Sequence, residues 1–166
     1  MGFDAGLQEN ISKLIYKGKH EVASDGGTIS AEISPNDLLM YQLVYSCVST
    51  AKRAEVILNN DVSGKYNWKV NGHTSVAADV QLVVCRPSTN FDDMVIVQGI
   101  IKRCTFGWIA QSYMSSVLKD SSGPPPYVGV QAGGSFINTS DLTTIGFNSD
   151  SGGQLKSGSY VEIWQN

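Results

Sequence analysis

The stretch from Asp141 to Asn166 decides the fold. It runs Leu142-Thr-Thr-Ile-Gly-Phe-Asn148, then Ser149-Asp-Ser-Gly-Gly-Gln-Leu-Lys156, then Ser157-Gly-Ser-Tyr-Val-Glu-Ile-Trp-Gln165. It reads as strand, loop, strand. Successive side chains of a strand point to opposite faces, so Ile145 and Phe147 share one face of the first strand. In the second, Val161 and Ile163 share a face, and Tyr160 and Trp164 share the other. Apolar groups on both faces predict a strand inside a sheet. Gly152-Gly153 gives the loop access to positive φ, and Leu155, alone among polar neighbours, is expected to tuck back as a plug.

The same period of two extends upstream. Ser24-Asp-Gly-Gly27 reads as a turn, after which Thr28, Ser30 and Glu32 alternate with Ile29, Ala31 and Ile33. Leu38–Val48 places Leu39, Tyr41, Leu43, Tyr45 and Cys47 on one face. Val80–Cys85 and Met94–Cys104 are nearly continuous apolar runs, as in the central strands of a sandwich. In all there are roughly nine or ten strands separated by short turn clusters, the pattern of an antiparallel sandwich or barrel. Ser121-Ser-Gly-Pro-Pro-Pro126 reads as a stiff exposed turn, because prolines are excluded from a central strand.

Residues 1–19 break the pattern. Phe3, Leu7, Ile11, Leu14 and Ile15 recur at helical spacing, Lys13, Lys17 and Lys19 trail them, and Gly18 is placed to end a helix. The sequence therefore predicts a short N-terminal arm or helix over residues 1–19, followed by a single β-sandwich domain over 20–166. A short helix is marginal in water, so its stripe must be covered, by its own sheet or by a neighbouring protein. The docking reading assigns protein binding to Phe3, Leu7, Ile11 and Ile15.

Composition excludes several classes. A chain of 166 residues is one domain by length, and 16% charged residues with 17 glycines suits a loop-rich β protein better than a helical bundle. A net charge of −3 with scattered Lys and Arg gives no footprint for nucleic acid. No run is long and apolar enough for a membrane helix, and the first residues lack the pattern of a signal peptide. Cys47, Cys85 and Cys104 lie in apolar runs at wide spacing, which predicts reduced, unpaired thiols.

Little in the sequence carries chemistry. His20 and His73 fall in no metal-ligand spacing, and His73 follows the turn pair Asn71-Gly72. Asp92-Asp93 are adjacent and so poorly placed as an acid–base pair. Asn60-Asp61, with Ser63 and Asn67, lacks the spacing of a calcium loop. Asn10 and Asn138 begin glycosylation sequons without a secretory signal to support them. No nucleophile elbow or phosphate loop is present. The expectation is no catalytic residue, no metal and no cofactor. Trp68, Trp108, Trp164 and seven tyrosines leave one binding option open, a carbohydrate platform made by stacking.

Five stretches carry a resemblance. Ser24-Asp25-Gly26 is followed by the Leu- and Tyr-rich strand Leu38–Val48. Asn59-Asn-Asp-Val-Ser-Gly-Lys-Tyr66 forms a turn, Phe136-Ile-Asn-Thr-Ser140 precedes the final hairpin, and Gly153-Gln-Leu-Lys-Ser-Gly158-Ser159 leads into Tyr160–Trp164. Together they resemble a family of small bacteriophage virion proteins, with departures at Phe136, at Ile163-Trp164 and in the N-terminal stripe. The resemblance implies a β-sandwich of jelly-roll type on a virion surface, folded in the host cytoplasm. It implies first a capsid decoration (cement) protein that reinforces the head shell, with the major capsid protein and sibling subunits in a homotrimer as partners. The other reading is a receptor- or carbohydrate-binding module of a phage tail or fibre. A glycan-cleaving enzyme would need paired, separated carboxylates, which do not stand out.

Overall fold

Alternation sets the face of each strand. In the final strand Val161, Ile163 and Gln165 are buried, while Tyr160, Glu162 and Trp164 are partly exposed. In the strand before it Ile145, Phe147 and Ser149 point inward. The computed structural model describes residues 13–34, 37–47, 54–70, 73–79, 82–85, 95–116, 128–149 and 155–166. Twelve strands lie within them: β1 (Ile15–Glu21), β2 (Ile29–Glu32), β3 (Leu38–Tyr45), β4 (Ala54–Leu58), β5 (Tyr66–Val70), β6 (His73–Asp79), β7 (Leu82–Cys85), β8 (Val95–Cys104), β9 (Gly107–Ser116), β10 (Val128–Phe136), β11 (Thr144–Ser149) and β12 (Tyr160–Gln165).

They form an eight-stranded sheet in the order β1-β12-β3-β8-β9-β10-β5-β6 and a four-stranded sheet in the order β2-β11-β4-β7. Every pairing is antiparallel. The nested pairs β1 with β12, β2 with β11, β3 with β8 and β4 with β7 alternate between the sheets. This is a long antiparallel ribbon wrapped around a core, the winding of a jelly roll. Two insertions depart from it. The β5–β6 hairpin lies between β4 and β7 in sequence, and β9–β10 lies between β8 and β11. Both extend the large sheet beyond β8.

The core fills the space between the sheets. Tyr41 meets Phe147 edge-on at 5.1 Å, linking β3 to β11 across the sandwich. Tyr66 stacks on Phe136 at 4.5 Å, and Trp108 is almost fully buried. Leu155 acts as the expected plug: it is fully buried and bridges to both Gly27 and Cys47. The strand Tyr160–Gln165 lies inside the large sheet, between β1 and β3, as its two-faced apolar pattern requires.

Three expectations are corrected. No helix occurs among the described residues, and the stripe does not continue as a helix through Ile15. Residues 15–21 instead pair with β12, so the boundary expected at residue 19 falls inside a strand. The ladder satisfies backbone groups that one or two isolated helical turns would satisfy poorly. Gly18, at φ 148°, sits at a register shift after Tyr16 rather than at a helix end. His73, expected in a turn, is the first residue of β6, opposite Val70. Phe3, Leu7 and Ile11 lie outside the described residues, as do Asp92-Asp93 and Ser121–Pro126.

Candidate functional site

The motifs of the sequence meet in pairs at the strand ends. Asp25 Oδ1 accepts the Ser157 N–H at 2.8 Å, and the Gly26 N–H donates to the Leu155 carbonyl at 2.9 Å. The Ser24-Asp-Gly turn is thus fastened to the segment that leads into β12. The turn after β4 is fastened to the segment after β10 in the same manner. There the Ile137 N–H donates to Lys65 O at 3.0 Å, and Asn59 Oδ1 accepts the Thr143 N–H at 2.8 Å. Asn59 Nδ2 donates to Asp141 O at 2.8 Å. Asn59 and Asn60 hold φ of 54° and 53°, a conformation that asparagine tolerates better than most residues.

Polar groups in this second junction are consumed by the fold. Asp61 accepts from the Ser63 hydroxyl, from the Ser63 N–H at 2.8 Å and from Lys65 Nζ at 3.2 Å. The Ser63 hydroxyl, more than any other partner, holds the Asp61 carboxyl down at about 2. Arg103 reaches Asp141 at 2.7 Å and the Thr139 carbonyl at 2.7 Å, with its guanidinium 5.3 Å from the Trp108 ring. Trp108 Nε1 donates to Ser140 O at 3.1 Å. These contacts make a latch. Among the described residues no group of His, Cys, Asp or Glu side chains is arranged to hold a metal ion.

The face of the large sheet turned away from the small one is different. One cross-strand row runs from Tyr16 through Trp164, Met40, Ile100 and Gln111 to Gly133 and Lys69. The next row runs from Lys19 through Glu162, Gln42, Gln98 and Tyr113 to Gln131. Near β1 the face is aromatic and apolar. Tyr16, 50% exposed, packs on Trp164 at 5.6 Å, and Lys19 Nζ sits 4.0 Å from the Tyr160 ring; Ile15, 62% exposed, pairs with Gln165 and belongs to the other face of the edge strand. Glu21, at 2.9 Å, accepts from Lys19 and raises its pKa. Toward β9 and β10 glutamine side chains join a lining that is still mostly apolar, and the face opens into a depression of about 750 Å³, lined by residues of β3, β5, β8, β9 and β10.

The expected site residues are distributed unevenly. Of the docking stripe only Ile15 is described, and it lies exposed on the edge strand. Of the three tryptophans, Trp68 and Trp108 are core residues and Trp164 alone reaches the outer face. The residues that the sequence did not single out are Gln98, Gln111, Gln131 and Gly133. Their only sequence signal is spacing by two, Gln111 with Tyr113 and Gln131 with Gly133, on strands whose other faces are buried. No protein-family model matches this chain, and no curated protein matches it in sequence.

Proposed function

We propose that this protein is a structural subunit of a bacteriophage virion, a decoration protein that reinforces the head shell. The observation that carries the reading is the jelly-roll winding with two exposed apolar residues, Ile15 and Tyr16, where the N-terminal stripe enters the edge strand. Asp25, Asn59, Ile137 and Ser157, which come from the motifs behind the resemblance to phage virion proteins, also make the bonds that join the turns of the roll. Such a subunit works mechanically. Each apolar side chain buried against a shell protein contributes roughly 1.5–3 kcal/mol before ordering costs, and no group needs to react.

In this reading Phe3, Leu7, Ile11 and Ile15 anchor the subunit to the major capsid protein or to sibling copies, with a trimer as the assembly that the resemblance favours. The test is co-sedimentation with shells of the parent particle stripped of this subunit, together with sedimentation equilibrium of the free protein. The parent chain should rebind the shells and self-associate. A Leu7→Asp, Ile11→Asp variant should keep the parental melting transition and do neither. Rebinding by the variant would remove the stripe as anchor. Failure of the parent to bind shells, with antibody labelling of the tail, would favour the tail or fibre module instead.

A further inference from the structure

We propose that the depression on the outer face of the large sheet binds a neutral glycan. Gln98 of β8, Gln111 of β9 and Gln131 of β10 all line it and are exposed. A primary amide offers two donors and a carbonyl acceptor, the mixed set that neighbouring sugar hydroxyls require. Gln98 Nε2 donates to Gln42 Oε1 at 2.9 Å, which orients the Gln98 amide in advance. Tyr113, 43% exposed, presents a ring to the apolar face of a pyranose. Among the described residues that line it there is no carboxylate, and the one cation is the exposed Lys69. This composition offers no partner to a cationic ligand, and three neutral amides beside a single ammonium match the hydroxyls of an uncharged polyol. The volume, about 750 Å³, falls in the usual range of small-ligand sites, about 300–1,000 Å³.

The floor is the decisive feature. Gly133 lies between Gln111 and Lys69 on one cross-strand row. At Gly99 and Gly107 packing dictates glycine, because a Cβ at Gly99 would lie 2.2 Å from Tyr41 Cζ and one at Gly107 would lie 2.3 Å from Phe136 O; at Gly133, as at Gly146 of β11, it does not. Among the described residues, a Cβ at Gly133 would meet Ala110 O alone, at the ordinary distance of 3.6 Å. Gly133 is also not among the glycines with positive φ. Neither packing nor backbone geometry demands a residue that weakens the strand. Its effect is to leave the floor open, as at sites where a ligand approaches a strand closely. This inference concerns the folded chain alone and holds whether or not the protein is a virion subunit.

The test is saturation-transfer NMR and calorimetry on the full chain. The neutral probes are chito-, gluco-, galacto- and manno-oligosaccharides; sialyllactose and an oligouronate serve as acidic probes. At least one neutral oligosaccharide should bind with a Kd of about 1 mM or tighter. Tyr113→Ala and Gly133→Leu should each weaken that binding about tenfold or more, or about 1.4 kcal/mol. Glu32→Ala, on the other sheet, should leave it unchanged. Tyr113 is exposed, so its substitution decides the matter even where Gly133→Leu fails to fold. Absence of binding by every neutral probe, binding by acidic probes alone, or neutral binding that survives Tyr113→Ala would overturn the proposal.

Discussion

The ring of Tyr41 lies directly over Gly99, which faces it across the β3–β8 ladder. A Cβ placed on Gly99 would come within 2.2 Å of Tyr41 Cζ and 2.3 Å of the hydroxyl oxygen. Glycine is therefore part of how the core accommodates a tyrosine that also packs on Phe147. Gly99→Ala should destabilise the fold by about 1–3 kcal/mol through overpacking. In a Tyr41→Leu background the same substitution should cost less. A double-mutant cycle in urea checks this, and a coupling energy of zero would show that the ring and the glycine do not constrain each other.

Tyr66 closes the turn after β4. Its hydroxyl accepts the Leu58 N–H at 2.8 Å and donates to the Leu58 carbonyl at 3.1 Å. Tyr66→Phe leaves a buried N–H without this partner and should cost about 1–3 kcal/mol. Burial pushes the phenol up to about 12 from its ordinary 10.0. The folded state then holds the proton more tightly than the unfolded state. The associated stability is fully present below pH 10.0 and is lost as pH rises toward about 12. Tyr66→Phe should remove that alkaline slope, which denaturation at stepped pH reports directly.

Asp61 gives the opposite dependence. Hydrogen bonds from Ser63, with help from Lys65, lower its pKa from 3.8 to about 2. The charged form is favoured by folding, so its contribution is present above pH 3.8 and fades as pH falls toward about 2. Asp61→Asn should be less stable than the parent at neutral pH, with the gap narrowing over that acid window. A gap that stays constant down to pH 2 would mean that the network around Ser63 does not depend on the charge.

Cysteine reactivity should divide by burial. Cys47 and Cys104 both carry thiols; Cys47 is buried 3.0 Å from Ser149 Oγ, whereas Cys104 is partly exposed at the end of β8. A disulfide-exchange reagent should modify Cys104 in the folded protein and Cys47 only at the rate of unfolding. Equal rates in Cys104→Ser and Cys47→Ser variants would contradict this placement.

Much of the roll was legible in the sequence because its strands bury one face and expose the other. Ile145, Phe147, Val161 and Ile163 followed the period of two and are all buried, and the isolation of Leu155 in a polar loop marked it as a plug. Ile15 was misread for a physical reason. A few apolar residues fit a helical stripe and an edge strand equally well, and only the partner β12 decides between them. Gly18 was misread with it, because a bulge and a helix end both call for a glycine. The depression was not legible at all. Gln98, Gln111, Gln131 and Lys69 look like ordinary solvent-facing positions until the registers of β8, β9, β10 and β5 bring them to one place.

The two insertions beyond β8 give the molecule a division of labour. The nested pairs that close the roll do not include β5, β6, β9 or β10, yet β5, β9 and β10 supply Lys69, Gln111, Tyr113, Gln131 and Gly133 to the depression. Their inner faces belong to the core through Tyr66, Trp108 and Phe136, but their outward positions are free to drift. A hairpin that acquires a new side chain at Gln131 or Lys69 alters what the face recognises without disturbing Tyr41, Phe147 or the latch at Asp141. Diversification of this protein should therefore concentrate in two short cassettes, and a library randomised there could be selected for new ligands while the rest of the chain is held fixed.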